Sequence, residues 1–297
     1  MNSKPIIYQM LPRLWGNDNE NLTHNGNLNE NGTGKFSDID AATLDYLAWL
    51  GCSHVWYTGV IEHATKASFE EYGIRRYGAH GTSHRYVSGE MIKLMGGEAE
   101  GTKIVTCHVG NGSSISAVMG GKVVDTSMGF TPLEGVEMGT RCGSIDPAIV
   151  PLLMKKENLT PDQIDTIMNK KSGILGVSQV TSDNRDIEQG AKAGNERYQL
   201  IESMICHQLT KYIGGYAAAM GGVDAVVFTA GVGENSKGQR MEIASGLEFM
   251  GVKMCEKAND IRGEEAVISA ADSKVKVLLI PTNEELMIAM DTMNIVK

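Results

Sequence analysis

Apolar and polar positions alternate in blocks that change period along the chain. Ile6 to Leu11 is a short apolar run of strand length, and a polar, Asn-rich stretch from Asn17 to Gly34 follows it. Asp38 to Leu50 then carries apolar residues at helical spacing (Ile39, Leu44, Leu47, Ala48, Leu50), with Asp38 as the expected N-cap and Gly51 as the stop. His54 to Val60 reads as a second strand. Further on, Lys103 to Cys107, Ile115 to Met119 and Lys122 to Asp125 predict a three-stranded meander, with Gly120-Gly121 as one of its turns. Residues 148–157 and 161–170 predict helices, the second opened by Thr160 as N-cap and Pro161 at the first helical position. Residues 196–220 predict a long amphipathic helix. Asp224 to Ala230 and Lys276 to Ile280 are buried-strand runs, and the latter leads through Pro281 to Glu285 into a helix reaching the end. Strands that end in glycine-rich or polar turns before helices predict an α/β domain with its ligand at the carboxyl ends of the strands.

Composition narrows the class. With 42% hydrophobic and 21% charged residues, the 297-residue chain has the make-up of a soluble globular protein of one large or two ordinary domains. A net charge of −9 argues against a broad nucleic-acid or anionic-membrane surface. Five widely spaced cysteines without metal-ligand spacing fit reduced thiols, and neither a signal peptide nor a membrane-length apolar run is visible, so a cytoplasmic protein is expected. The 35 glycines are clustered, which points to backbone-lined loops.

Two of these clusters carry the strongest local signal. Gly110-Asn111-Gly112-Ser113-Ser114 lies between two predicted strands, and Gly231-Val232-Gly233-Glu234-Asn235 lies between a strand and a helix. Both are either ordinary tight turns or places where backbone N–H groups approach a phosphate. The second fails the G-x-G-x-x-G pattern because Ser236 occupies the third glycine position. Gly34-Lys35 fails a P-loop because Asn29 and Phe36 stand at required glycine and hydroxyl positions. His80-Gly81-Thr82-Ser83-His84 reads equally as a loop with two exposed imidazoles or as a donor to an anion; Gly81 rules out H-E-x-x-H. Arg141, set between glycines, is either a solvated charge or a guanidinium presented to phosphate. Asp183-Asn184-Arg185-Asp186 suits a turn with a helix cap. Glu284 and Glu285 are either first-turn carboxylates favoured by the helix dipole or Mg²⁺ ligands.

Taken together, Tyr77–Val87, 108–114, 138–147, 182–187, 231–236 and 281–291 resemble, in order, the motifs of the acetate kinase family. The resemblance spans about residues 69–297. It implies an actin-like (ribonuclease-H-like) phosphotransferase fold and the reaction of ATP with acetate to give ADP and acetyl phosphate, with Mg²⁺ as cofactor. It also implies a homodimer, while the exclusion of nucleic-acid and membrane partners rests on the charge and the apolar runs given above. By that resemblance His80 and Arg141 act on the transferring phosphoryl group. His108, Val109, Gly110, Asn111 and Gly112 line the ATP phosphates. Asp183, Asn184, Arg185, Gly231, Val232, Gly233, Glu234 and Asn235 hold the adenosine side, and Glu284 takes the metal. Ala79 departs from the family's usual Phe, and Met290 from a polar or basic residue.

The opening of the chain departs more. Residues 1–68 hold no counterpart of the family's N-terminal phosphate turn, nor of the Arg and Asp that serve its carboxylate substrate. About residues 5–66 instead resemble the first strand, helix and second strand of an α-amylase-type glycoside hydrolase. The expectation is therefore a chimera joined near 66–70: an incomplete β/α-barrel fragment over 1–68, then a nucleotide-binding domain over 69–297. The alternatives are an impaired phosphotransferase, a nucleotide-binding half-site without transfer and, more remotely, a carbohydrate-acting protein.

Overall fold

The computed structural model describes residues 7–10, 39–50, 52, 54–57 and 76–296. The Asn-rich stretch, the rejected P-loop position and the expected join near 66–70 lie outside the described residues. The chain divides into two compact units, Arg76–Glu284 and residues 1–75 with 285–297.

In the smaller unit, β1 (Ile7–Met10) pairs in parallel with β2 (His54–Tyr57), Ile7 opposite His54, and α1 (Ala41–Trp49) lies between them in sequence. Strand, helix and parallel strand follow the expected order. The cap does not: Asp40, not Asp38, accepts the Thr43 N–H at 2.9 Å. Of the expected apolar stripe Leu47 is buried, while Leu44 and Leu50 are exposed.

The larger unit is built on a six-stranded mixed sheet of order β5-β4-β3-β6-β8-β7. Its strands are β3 (Lys103–Val109), β4 (Ser113–Met119), β5 (Lys122–Thr126), β6 (Ala225–Thr229), β7 (Ala266–Val267) and β8 (Lys276–Leu279). β3, β4 and β5 form the predicted antiparallel meander, whereas β3, β6 and β8 run parallel. Side chains alternate across a strand, so each strand feeds two layers. On one face Val105, Cys107 and Val109 of β3 join Val226 and Phe228 of β6 and Val277 and Leu279 of β8. Ile201, Ile205, Leu209 and Ile213, at helical spacing along α7 (Glu196–Ala219), cover that face. On the other face Ile104, Val118, Ala225, Val227 and Leu278 pack against Val87 and Met91 of α2 (Gly81–Leu94).

Between these come α3 (Ile149–Lys156), α4 (Pro161–Lys170), α5 (Gly173–Ser178) and α6 (Asn184–Lys192). As predicted, α4 starts at Thr160; its hydroxyl accepts the Gln163 N–H and Gln163 answers with a reciprocal bond, a capping box. Asp183 caps α6 by accepting the Arg185 N–H at 2.8 Å. After β6 follow α8 (Ala230–Asn235), α9 (Lys237–Ser245), α10 (Glu256–Asn259) and, after β8, α11 (Glu284–Val296).

Three local readings need correction. The histidine pair does not lie in a loop: Gly81 opens α2, and His84, one turn in, is 1% exposed. The first glycine turn is shorter than expected, because His108 and Val109 complete β3 while Ser113 and Ser114 begin β4. The second is a short helix, α8, rather than an open turn.

Candidate functional site

Parallel β3 and β6 lie side by side, with His108 opposite Thr229, so the segments leaving their carboxyl ends emerge together. They meet closely: a Cβ on Gly110 would stand 3.9 Å from Ala230 Cβ and 3.9 Å from Gly231 N. This junction opens into a cleft of about 590 Å³. Gly110 and Asn111 come from the first turn, Gly231, Val232 and Asn235 from α8, and Asp183, Asn184 and Arg185 from the start of α6. Eight of the residues singled out from sequence thus share one wall. Ser182, Glu188, Ser236, Gln239 and Arg262 complete it.

His80 and Arg141 lie just beyond the Gly110–Asn111 end. A Cβ on Gly112 would meet His80 Nε2 at 3.3 Å and Arg141 Nη1 at 3.4 Å, so glycine is what lets both side chains close on the turn. His80 caps α2 in the left-handed region, φ 61°, where a non-glycine residue is held only by its surroundings. Its Nδ1 is 2.8 Å from the Ser114 hydroxyl, which also lies 2.7 Å from His84 Nε2. His84 Nδ1 is in turn 2.7 Å from Thr106 Oγ1. The His80 ring stacks on His108, centroids 4.0 Å apart at 14°, and His108 Nδ1 is 2.8 Å from Ser83 Oγ.

Burial sets the charge of this cluster. It lowers the pKa of His84 to about 3, with the neighbouring His108 and His80 adding to the effect. His108 is lowered to about 3 by burial and then by His80. His80 is lowered by burial first and by the Arg141 guanidinium second. At neutral pH the histidines are therefore neutral hydrogen-bonding groups, and Arg141 supplies the positive charge.

The Arg141 loop is fastened along its backbone. Met138 N–H donates to Arg141 O at 3.2 Å, Ser172 N–H to Thr140 O at 3.0 Å and Leu175 N–H to Gly139 O at 2.9 Å. Gly139 N–H donates to Asn111 O at 3.1 Å, which ties this loop to the first glycine turn. The guanidinium donates to Pro132 O at 3.2 Å.

Of the other sequence candidates, Val109, Gly233 and Glu234 face inward. Val109 is core. The Glu234 carboxylate accepts from Ala230 N at 2.8 Å and Thr282 N at 3.2 Å, joining α8 to the segment after β8. Gly233 is buried, and its carbonyl accepts from Arg240 at 2.9 Å. Glu284 opens α11 beyond that same segment. Asp183 is held down to about 2 by hydrogen bonds from Arg185.

Arg240 was not found from sequence. It is 1% exposed and donates to Asn259 Oδ1 and to the carbonyls of Gly233, Glu234, Asn259 and Ile261, at 2.8–3.0 Å. It thereby clamps α8 to the loop that carries Arg262. A single arginine in a helix has no signature that separates such a buried clamp from a solvated charge. Gln239 had a faint one: Ser236 followed by Gln at the third helical position is a capping pattern.

Among the described residues no helix is long and apolar enough to cross a membrane, and no three or more His, Cys, Asp or Glu cluster as a metal site.

Residues 60–290 match the model of the Acetokinase family. The acetate kinase of Clostridioides difficile (strain 630) is 61% identical over 229 residues, 77% of this chain and 58% of that protein. The acetate kinase of Carboxydothermus hydrogenoformans is 53% identical over 264 residues, 89% of this chain and 63% of that protein. The chain thus spans less than two thirds of these curated relatives. In structure, Porphyromonas gingivalis acetate kinase superposes with TM-score 0.81 at 39% identity, over 99% of this chain and 78% of that one. A propionate kinase from Francisella tularensis gives 0.75 at 34%, over 86% and 68%. The mixed α/β sheet therefore has the actin-like architecture of these kinases. The comparisons lend no support to the glycoside-hydrolase resemblance of the opening segment. The family match already begins at residue 60, and an alignment of 264 residues is too long to be confined to 69–297.

Proposed function

Because the chain belongs to the Acetokinase family, we propose that it carries the nucleotide side of a site for phosphoryl transfer between ATP and a small carboxylate, acetate by the names of its relatives. The observation that carries this reading is the convergence of His80 Nε2 and Arg141 Nη1 on Gly112 at the end of the cleft. Phosphoryl transfer proceeds through a loose transition state with charge spread over three equatorial oxygens, and the protein contributes mainly positioning and fixed positive or N–H groups. Arg141 provides charge in a planar fork suited to two of those oxygens. His80, neutral and tied through Nδ1 to Ser114, presents Nε2 on the Gly112 side.

Gly110, Asn111 and Gly112 would follow the phosphates, with His108 behind them as the surface on which His80 stacks. Asp183, Asn184, Arg185, Gly231, Val232 and Asn235 would enclose the nucleoside. Gly233 and Glu234 would act from behind, by fixing α8. Mg²⁺ is commonly held by one or two carboxylates plus substrate phosphates, so the single carboxylate of Glu284 fits as its protein ligand. When bound, the ion would neutralise charge on the phosphate chain. Cytoplasmic location and a homodimer belong to the same reading.

In-line transfer needs both anions clamped. Residues 1–68 offer no counterpart of the family's carboxylate-binding Arg and Asp. This chain by itself is therefore expected to bind MgATP with very low acetate-dependent turnover. Titration calorimetry with MgATP, followed by an acetate-dependent ADP-release assay on the same sample, tests this. Turnover near that of a full-length acetate kinase would refute the impairment, and absence of binding would remove the nucleotide reading.

A further inference from the structure

Behind His80 lies a run of buried polar groups that touches no ligand position. Thr106 and Ser114 are fully buried, and His84 is 1% exposed. Three segments supply the run: β3 gives Thr106, α2 gives His84 and β4 gives Ser114. Its contacts are short. Thr106 Oγ1 is 2.7 Å from His84 Nδ1, His84 Nε2 is 2.7 Å from Ser114 Oγ, and Ser114 Oγ is 2.8 Å from His80 Nδ1. Two acceptors or two donors facing each other at such distances in a buried site would be costly, so each contact holds one proton.

That condition leaves few arrangements. A hydroxyl carries one proton, and a neutral imidazole donates at one nitrogen and accepts at the other. Burial keeps His84 neutral and acts on His80 in the same direction. In the first arrangement Thr106 donates to His84, His84 to Ser114 and Ser114 to His80, which leaves the His80 proton on Nε2. In the second every bond is reversed, and the Thr106 proton is left with Ser116 O at 3.4 Å. In the third both histidines donate to Ser114, whose own proton is left with Ala79 O at 3.4 Å. The second and third put the His80 proton on Nδ1 and leave Nε2 bare. Only the first places both hydroxyl protons in contacts of 2.7–2.8 Å. Its bonds all run one way, so each polarises the next. It also presents an N–H, rather than a lone pair, at the Gly112 turn that Arg141 Nη1 approaches.

We propose that Thr106, His84 and Ser114 are positioning residues for His80: they run one proton chain outward from the core and hold His80 as the Nε2–H tautomer, a donor to the transferring phosphoryl group. This inference rests on the phosphoryl-transfer reading of His80 and adds to it what fixes the donor.

The experiment is nitrogen-15 NMR of the histidine rings in the full chain at neutral pH, with His80→Asn identifying the His80 signals. In the wild type the Nε2–H form of His80 should exceed the Nδ1–H form by about tenfold or more, as one net hydrogen bond would give. Thr106→Ser keeps the hydroxyl and should keep that ratio. Thr106→Val removes the hydroxyl while keeping the branched shape, and should bring the two tautomers within about threefold of each other. A thermal melt shows whether each variant is folded; if Thr106→Val is not, the wild-type spectrum decides alone. A wild-type His80 protonated on Nδ1, or an undiminished Nε2–H preference in a folded Thr106→Val, overturns the proposal. Calorimetry with MgADP on the same samples keeps the two readings apart: absence of binding removes the nucleotide reading, while the spectra still decide the proton chain.

Discussion

The imidazole of His80 lies flat on that of His108, with centroids 4.0 Å apart and planes 14° from parallel. One ring comes from the cap of α2 and the other from the last turn-side positions of β3, so the stack joins helix to sheet where Arg141 arrives from a third segment. Both rings are neutral at neutral pH, which removes the repulsion that stacked cations beside a guanidinium would suffer. His108→Phe should keep the stacking surface and fold normally. His108→Ala should leave His80 free to rotate, lowering any measurable acetate-dependent ADP release by about tenfold or more with little change in MgADP affinity. Equal loss in both variants would show that the imidazole nitrogens matter and the stack does not.

Arg141→Ala removes the charge beside Gly112 without touching the cleft wall. Any phosphoryl transfer should fall by roughly a hundredfold or more, as for loss of one preorganised electrostatic group. MgADP affinity, measured by calorimetry, should change by less than about threefold. His80→Ala should behave in the same way, and unchanged turnover in either would remove that residue from the reacting centre.

Stability should depend on pH in two opposed ways. His84 and His108 have folded pKa values near 3, well below the free value of 6.5, so the unfolded chain binds more protons as pH falls below 6.5 and stability is lost. Glu137 is raised by burial to about 7, so its contribution is present below pH 4.5 and is lost as pH rises toward and through 7. Each proton contributes about 1.4 kcal/mol per pH unit. Between pH 4.5 and 6.5 the histidines outnumber the glutamate, so denaturation midpoints should climb with pH. Glu137→Gln should steepen that climb and raise stability at pH 8, and a variant that lost stability at pH 8 would show that the carboxylate has a favourable partner.

Arg240→Lys should not rescue the clamp. Lysine offers one charged centre where the guanidinium reaches five acceptors through a rigid fork, so carbonyls in the buried clamp lose their donor. Chemical denaturation should show a loss of at least about 3 kcal/mol for Arg240→Ala. The lysine variant should recover less than half of it.

Gly139→Ala should separate binding from folding. The new Cβ would stand 2.6 Å from Asn111 Oδ1, displacing a residue of the cleft wall. Calorimetry should show MgADP affinity falling by about tenfold, while the unfolding midpoint moves little because no core residue is involved.

Much of this protein was written locally. Apolar runs bounded by turn residues placed the meander and the buried β6 and β8, and helical spacing placed the long α7, because a strand covered on both faces and a helix covered on one impose those patterns whatever the partner. Thr160, Pro161 and Asp183 announced helix starts because capping is satisfied within a few residues. Ordered motifs brought His80, Arg141 and both glycine segments forward together. Tertiary structure decided what no spacing encodes. His84 is sealed behind His80 because α2 packs over β3, and two histidines one turn apart say nothing of which face is covered. His108 is a strand residue because β3 and β4 pair up to Val109 and Ser113. Glu234 turns its carboxylate inward because the Ala230 and Thr282 N–H groups, 52 residues apart in sequence, converge on it, and Arg240 is buried because five acceptors from α8, the end of α10 and Ile261 surround it. Convergence of distant backbone groups depends on the assembled sheet order, and that is set by long-range packing rather than by neighbours along the chain.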